Sequence, residues 1–157
     1  VSEGTTSYAK CKRILETLAS IYPKNVLGVR ISAGYGVGES HKKEYSSIVY
    51  LFAKDIKEGR RPIVWGNGEQ TRDFIYIDDI IDNIIKFKDK EGIVEIGTGV
   101  NYSLNDVIKM INKELGTKVK PKYIPKPEIY IEHTVCKNPC NYKVSLEEGI
   151  QRILDSL

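Results

Sequence analysis

The chain has 157 residues, of which 41% are apolar and 29% charged, and its formal net charge is +3. That length accommodates one compact domain with its own core, and the composition is that of a folded chain rather than a disordered one. The small charge leaves no electrostatic footprint for nucleic acid, and no apolar run reaches the roughly 18 residues a membrane-spanning helix needs, so neither is expected as a partner.

The first predicted element is a helix from about residue 6 to 21, with Ala9, Ile14, Leu15, Leu18 and Ile21 at helical spacing. Thr5, Thr6 or Ser7 can cap it, and Pro23 stops it. "NVLGVRIS" follows as a short apolar strand of the kind buried in a parallel sheet. "AGYGVGES" reads as a glycine-rich turn, and residues 45–58 read as a second helix. "RPIVWGNG" is a strand ending in a turn, and "RDFIYI" alternates like another strand. Asp78 and Asp79 open a helix over about 78–88, where their charge suits its N-terminal dipole. "GIVEIGTG" gives a strand and turn. "SLNDVIKMINKELG" is a helix capped by Ser103 and stopped by Gly116. "KVKPKYIP" is a short exposed strand, and "SLEEGIQRILDSL" opens with a capping box of Ser145 and Glu148. The least regular stretch runs from Pro125 to Tyr142. Helices alternating with short apolar strands indicate an α/β domain with parallel elements.

Tyr8 and Lys12 form Y-x-x-x-K on the first helix, and residues four apart share a helix face. A phenol is a poor base at neutral pH, but an ammonium one turn away favours the phenolate and makes it usable for exchanging a proton with a substrate hydroxyl. Taken alone, the pair reads as easily as a solvated helix face.

Its context is "VRISAGYG" and then "GNGEQTRDFIYIDDI", residues 66–80. In order and spacing these blocks resemble the nucleotide-sugar epimerases and dehydratases, the extended short-chain dehydrogenases of which UDP-glucose 4-epimerase is a familiar member. "EIGTGVNYSLNDVIKMI" and "KVSLEEGIQRIL" resemble later segments of the same group. The resemblance implies an α/β fold: the C-terminal part of a Rossmann-type NAD(P)-binding domain plus its small substrate-binding domain, without the N-terminal glycine-rich half. It divides the chain into residues 1–35, which end the Rossmann part and carry the catalytic helix, and about 36–157, mainly substrate-binding. A chain that opens on Val1, with its one methionine at Met110, reads as processed, trimmed or excerpted from a longer one.

The resemblance also assigns roles. Tyr8 is the acid/base and Lys12 its partner, and both contact the cofactor NAD. Ile31 and Ser32 pass the nicotinamide. Arg72 clamps the substrate diphosphate, a task suited to a planar guanidinium with several donors. Trp65 packs on the nucleotide base, and Ala33 stands where the family commonly has an asparagine contacting the diphosphate. Without the motif, Arg72 would read as ion-paired to Asp73 or Glu69, and Trp65 as core. Lys126 and Lys137 are the nearest basic residues to where the family often has a further diphosphate-binding arginine.

Five other features are assigned no site. Gly34, Gly36 and Gly38 lack the G-x-G-x-x-G spacing and no helix is expected right after them, so they read as a loop needing unusual backbone angles. Gly97–Gly99 reads as a strand-to-helix turn. His133, Cys136 and Cys140 lack a nearby fourth ligand for zinc, and no metal is expected. Cys11 reads as packing, and His41, beside Lys42 and Lys43, as solvated. An odd number of cysteines forms no disulfide framework, which points to a reducing cytoplasm.

The function implied is that of the nucleotide-sugar-binding portion of an NAD-dependent 4-epimerase-like enzyme acting on a UDP-sugar, inactive by itself. A non-catalytic nucleotide-sugar-binding module, a subunit of a split enzyme that pairs with the missing half, and a piece of a dehydratase or decarboxylase are the alternatives. The apolar strand "NVLGVRI", left uncovered, is expected to make the isolated chain self-associate.

Overall fold

The computed structural model describes residues 7–21, 26–128 and 130–157. Thr5, Thr6 and Pro23, expected at the ends of the first helix, lie outside them. In chain order the elements are α1 (Ser7–Ile21), β1 (Leu27–Ile31), β2 (Ala33–Tyr35), a 3-10 helix (Glu39–Tyr45), α2 (Ile48–Lys57), β3 (Ile63–Trp65) and β4 (Thr71–Tyr76). They continue as α3 (Ile77–Phe87), β5 (Gly92–Ile96), β6 (Asn101–Ser103), α4 (Leu104–Leu115), β7 (Lys122–Ile124) and α5 (Leu146–Ser156). The expected α/β alternation is present.

Among the described residues the strands form three small sheets. β1 pairs in parallel with β5, β3 pairs in parallel with β7, and β4 lies between β2 (parallel) and β6 (antiparallel). The main core fills between β2, β3, β4 and β6 and the helices α2, α4 and α5. Phe52 and Ile56 of α2 meet Val107 and Ile111 of α4 and Ile150 and Ile153 of α5, all essentially inaccessible. Each of these helices carries its apolar residues at three- and four-residue spacing, so burying one stripe satisfies it. Ile75, Ile80 and Ile96 form a second, smaller cluster.

The caps follow the local sequence closely. Ser103 and Asp106 form a reciprocal capping box on α4, and Gly116 ends that helix in the left-handed region at φ 65°. At α5 only half the expected box forms: Ser145 accepts from the Glu148 amide, while the Glu148 carboxylate turns to Arg152 at 2.6 Å.

Several expectations are corrected. The stretch "AGYGVGES" is not all turn, because Ala33–Tyr35 is strand β2 beside β4. Gly34 and Gly36 serve packing rather than backbone freedom. A Cβ on Gly34 would lie 2.9 Å from Ile80, and one on Gly36 would lie 3.0 Å from the Ile77 Cβ. Of the three glycines in this stretch, only Gly38 has a left-handed φ, 79°, and a 3-10 helix starts directly after it. The second helix begins at Ile48 rather than at 45, with Ser47 as its cap. The turn at Gly97–Gly99 leads into the short strand β6, which its three residues were too few to announce. β1 is only half-buried, with Ile31 exposed. α1 forms where its periodicity puts it, yet buries no side chain, and Cys11 is exposed rather than packed.

Candidate functional site

Of the sequence-derived site residues, Tyr8, Lys12 and Ile31 line one cavity and Trp65 and Arg72 line another. The first, of about 470 Å³, lies between α1 and the β1–β5 pair and is lined by Tyr8, Lys12, Glu16, Arg30, Ile31 and Ile93 among others. Tyr8 is 72% exposed, and the Lys12 ammonium stands 5.4 Å from the centre of its ring. Helical spacing therefore places phenol and ammonium side by side, as their sequence positions require. One turn further on, Glu16 takes a bidentate grip from Arg30 of β1, at 2.6 Å from Nε and 2.7 Å from Nη2. Arg30 also stands 3.6 Å from Glu95 of β5. Pairing with Glu16 raises the pKa of Arg30, and the bond from Arg30 lowers that of Glu16. The pair fixes α1 against the sheet at a helix that buries nothing, and the sequence alone did not single it out.

The second cavity, of about 380 Å³, lies between α2, β3, β4 and the 130s segment. Trp65, at the end of β3, is 46% exposed and so is not a core residue. Its ring meets Tyr130 edge to face, with centroids 5.8 Å apart. The Arg72 guanidinium lies 5.4 Å from the centre of the Tyr130 ring. Arg72 makes no ion pair with Asp73 or Glu69 among the described residues. It donates instead to the backbone carbonyls of Thr71 (2.8 Å), Glu132 (3.1 Å) and Ile131 (2.7 Å). Three of its five N–H groups are thereby committed, and the planar fork is held in one orientation with donors to spare. Gln70 is buried and donates to the Trp65 carbonyl at 2.6 Å and to the Tyr130 hydroxyl at 3.4 Å. Tyr130 is thus the hub of the constellation, and nothing in the irregular segment around it signals that role.

The 130s segment is itself anchored. Thr71 bridges to it through amides and carbonyls, and its hydroxyl lies 3.0 Å from His133 Nδ1. Asp73 is 0% exposed, and its carboxylate accepts from the amides of Thr98, Gly99 and Cys136, each at 2.9 Å, and from the Thr98 hydroxyl at 2.6 Å. The Gly97–Gly99 turn therefore cradles an anion that the chain supplies itself. A Cβ on Gly97 would press into Ser32, Cys136 and Asp73.

Ser32 and Ala33 line neither cavity. The Ser32 amide donates to Ile96 at 2.9 Å with its hydroxyl beside Gly97, and Ala33 pairs with Phe74 and packs on the main core. Of the two lysines near the missing arginine position, Lys126 pairs with Glu132, and the Lys137 amide donates to Glu95 at 3.2 Å. His133, Cys136 and Cys140 turn to different partners: Thr71, Glu95 and the Gly97 carbonyl. Burial raises the pKa of both thiols. Among the described residues no group of His, Cys, Asp and Glu is arranged to hold a metal, and no helix is long and apolar enough to cross a membrane.

The model of the NAD dependent epimerase/dehydratase family matches residues 3–97, more than half of the chain. The chain belongs to that family. Among the relatives of this epimerase/dehydratase chain, the UDP-glucuronate 4-epimerase of Thermodesulfobacterium geofontis is 29% identical over 99% of this chain and 51% of its own length. The UDP-N-acetyl-alpha-D-glucosaminuronate decarboxylase of Bacillus cytotoxicus is 26% identical over 94% of this chain and 52% of its own length. A solved UDP-glucuronic acid 4-epimerase of Bacillus cereus, in complex with UDP-glucuronic acid and NAD, superposes with a TM-score of 0.80. It is 23% identical, over 99% of this chain and 55% of the other, and shares the fold. The chain spans about half the length of the curated relatives it matches.

NAD is the cofactor of this family, and the described residues fit one end of it. The phenol of Tyr8, the ammonium of Lys12 and apolar Ile31 and Ile93 line one cavity, a set that suits the hydroxyls of a ribose and the flat face of an aromatic ring. A pyrophosphate cradle is not formed by the glycine-rich stretch, because Ile80 and Ile77 fill the space beside Gly34 and Gly36.

Proposed function

We propose that this chain binds a nucleotide-diphosphate sugar in the Trp65–Arg72–Tyr130 cavity and supplies Tyr8 and Lys12 for the NAD-dependent oxidation of a sugar hydroxyl. The observation that carries this reading is the fixed guanidinium of Arg72 beside two aromatic rings, a match for a ligand that joins a diphosphate to a flat base. Two paired phosphates want a bidentate cation, and a base wants a π-face.

NAD, when bound, takes up the hydride. Tyr8 as phenolate receives the hydroxyl proton, and the C–O bond becomes a carbonyl as that proton leaves. Lys12 holds positive charge next to the phenol ring and keeps its donors available to a ribose. The fate of the keto sugar separates epimerisation from dehydration and decarboxylation. The 4-epimerase outcome is favoured by analogy with the relatives' names, and the substrate is a UDP-sugar on the same ground. The dinucleotide-binding half comes from chain beyond these residues or from a second subunit, and without it the chain does not turn over.

Calorimetric titration with UDP, uridine and inorganic diphosphate tests the binding half of this reading. UDP should bind best. Arg72→Lys should weaken UDP by about tenfold or more, since a point charge replaces a fork, and leave uridine nearly unchanged. Equal affinity of the wild type for UDP and uridine would remove Arg72 from the diphosphate.

A second reading keeps the binding and drops the chemistry. The two cavities share no lining residue, so nucleotide binding needs nothing from α1. Under this reading UDP binds and no cofactor does.

Self-association belongs to the same proposal. Ile14, Leu15, Leu18 and Ile21 of α1 are exposed together with Ile31 and Ile93 of the sheet below. Apolar surface of that extent is normally covered. Sedimentation at micromolar concentration should show dimers or larger species, and Leu15→Glu should shift them towards monomer. A wild-type monomer is the contrary result.

A further inference from the structure

The second cavity holds a charged group besides Arg72. Glu44 lines it together with apolar Ile48, Leu51 and Ile63. Among the described residues its carboxylate has no hydrogen-bond or ion-pair partner, although lysines precede it at 42 and 43.

The backbone that presents Glu44 is held in place. Lys43 adopts φ 50° and ψ −123°, a conformation rare for a residue with a Cβ. The Lys43 carbonyl accepts from the Ser46 amide at 3.2 Å and the Ser46 hydroxyl at 2.8 Å. Buried Glu39 pins both ends of the segment, accepting from the Gly36 amide at 3.2 Å, the Ser47 amide at 2.7 Å and the Ser47 hydroxyl at 2.6 Å. Burial alone would raise the carboxyl pKa of Glu39, but the Ser47 hydroxyl, the two amides and Lys42 outweigh it and lower it on balance. The strained residue directly before Glu44 persists because these bonds over-determine the turn.

We propose that Glu44 accepts hydrogen bonds from the ribose 2′,3′-diol of the nucleotide, so that the cavity selects ribonucleoside over 2′-deoxyribonucleoside diphosphates. This deepens the nucleotide-binding proposal and rests on it. An ionised carboxylate has only acceptor oxygens, and two neighbouring hydroxyls are the matching donor pair. The charges orient the ligand in the same sense. Arg72 attracts the diphosphate, Glu44 repels it, and the end rich in hydroxyl donors is left facing Glu44. The base then meets Trp65 and Tyr130.

Trp65 is the only tryptophan in the chain, so its fluorescence reads occupancy of this cavity directly. The full chain is titrated with UDP, 2′-deoxy-UDP and UDP-glucose, in the wild type and in Glu44→Gln and Glu44→Asp. A hydrogen bond to a charged acceptor is expected to make UDP about tenfold tighter than 2′-deoxy-UDP in the wild type. The ratio should fall close to one in Glu44→Gln, whose amide offers a single acceptor, and recover in part in Glu44→Asp. Glu44 is exposed and unpartnered among the described residues, so neither variant should change the melting temperature. Equal affinity for UDP and 2′-deoxy-UDP in the wild type overturns the assignment of Glu44 while leaving nucleotide binding intact. Loss of UDP-glucose affinity alone in Glu44→Gln overturns it too, by moving the carboxylate to the hexose. No response to UDP in any form overturns the nucleotide reading itself, and this proposal with it.

Discussion

Asp73→Ala should cost the chain about 4 kcal/mol of stability or more, enough to threaten the fold of a domain of this size. The side chain is fully buried and accepts four hydrogen bonds, three from backbone amides and one from the Thr98 hydroxyl. Removing it leaves those donors facing a void, at about 1–3 kcal/mol for each one that stays unsatisfied. Water entering the cavity recovers part of that loss, which is why the total is less than the sum. Asp73→Asn is the sharper test, because it keeps the volume. Its amide has one acceptor oxygen and turns an NH₂ group towards amide donors. Urea unfolding of both variants measures the effect, and an unchanged midpoint for Asn would mean the carboxylate is not the clamp. The damage should extend to ligand binding. Asp73 ties β4 to the Cys136 end of the segment whose Ile131 and Glu132 carbonyls hold Arg72.

The helices that pack on the core were legible in the sequence, and so were most of their ends. In α4, period and caps agree, and local preference and tertiary packing ask for the same thing. α1 shows the limit of the same reasoning. Its periodicity fixes the element and brings Tyr8 and Lys12 together, but cannot say whether anything covers the apolar stripe. Asp73 shows a different limit. In "TRDF" it reads as the natural ion partner of Arg72, whereas its true partners lie 25, 26 and 63 residues away in sequence. Non-local hydrogen bonds leave no periodic trace. Tyr130 and Glu44 escape a sequence reading for the same reason, since each acquires its meaning from β3 and β4. The glycines at 34 and 36 stand out in the sequence and still mislead, because a close approach and a left-handed turn leave the same letter.

Tyr8→Phe should abolish turnover by a factor of about 10² to 10⁴ when the chain is assayed together with the dinucleotide-binding portion the reaction requires. The substitution removes one oxygen from a side chain that is 72% exposed, so stability should change by no more than about 0.5 kcal/mol. Its ring and its contact with the Lys12 ammonium remain. The decisive feature is where the loss falls. Nucleotide binding is assigned to Trp65, Arg72 and Tyr130, in a cavity that shares no residue with that of Tyr8, so UDP affinity should be unaffected and the whole deficit should appear in kcat. A variant that still turns over at the wild-type rate removes Tyr8 from the chemistry. A variant that loses UDP affinity instead shows that the two cavities form one site in the working enzyme, with the acid/base helix closing over the ligand that Arg72 holds.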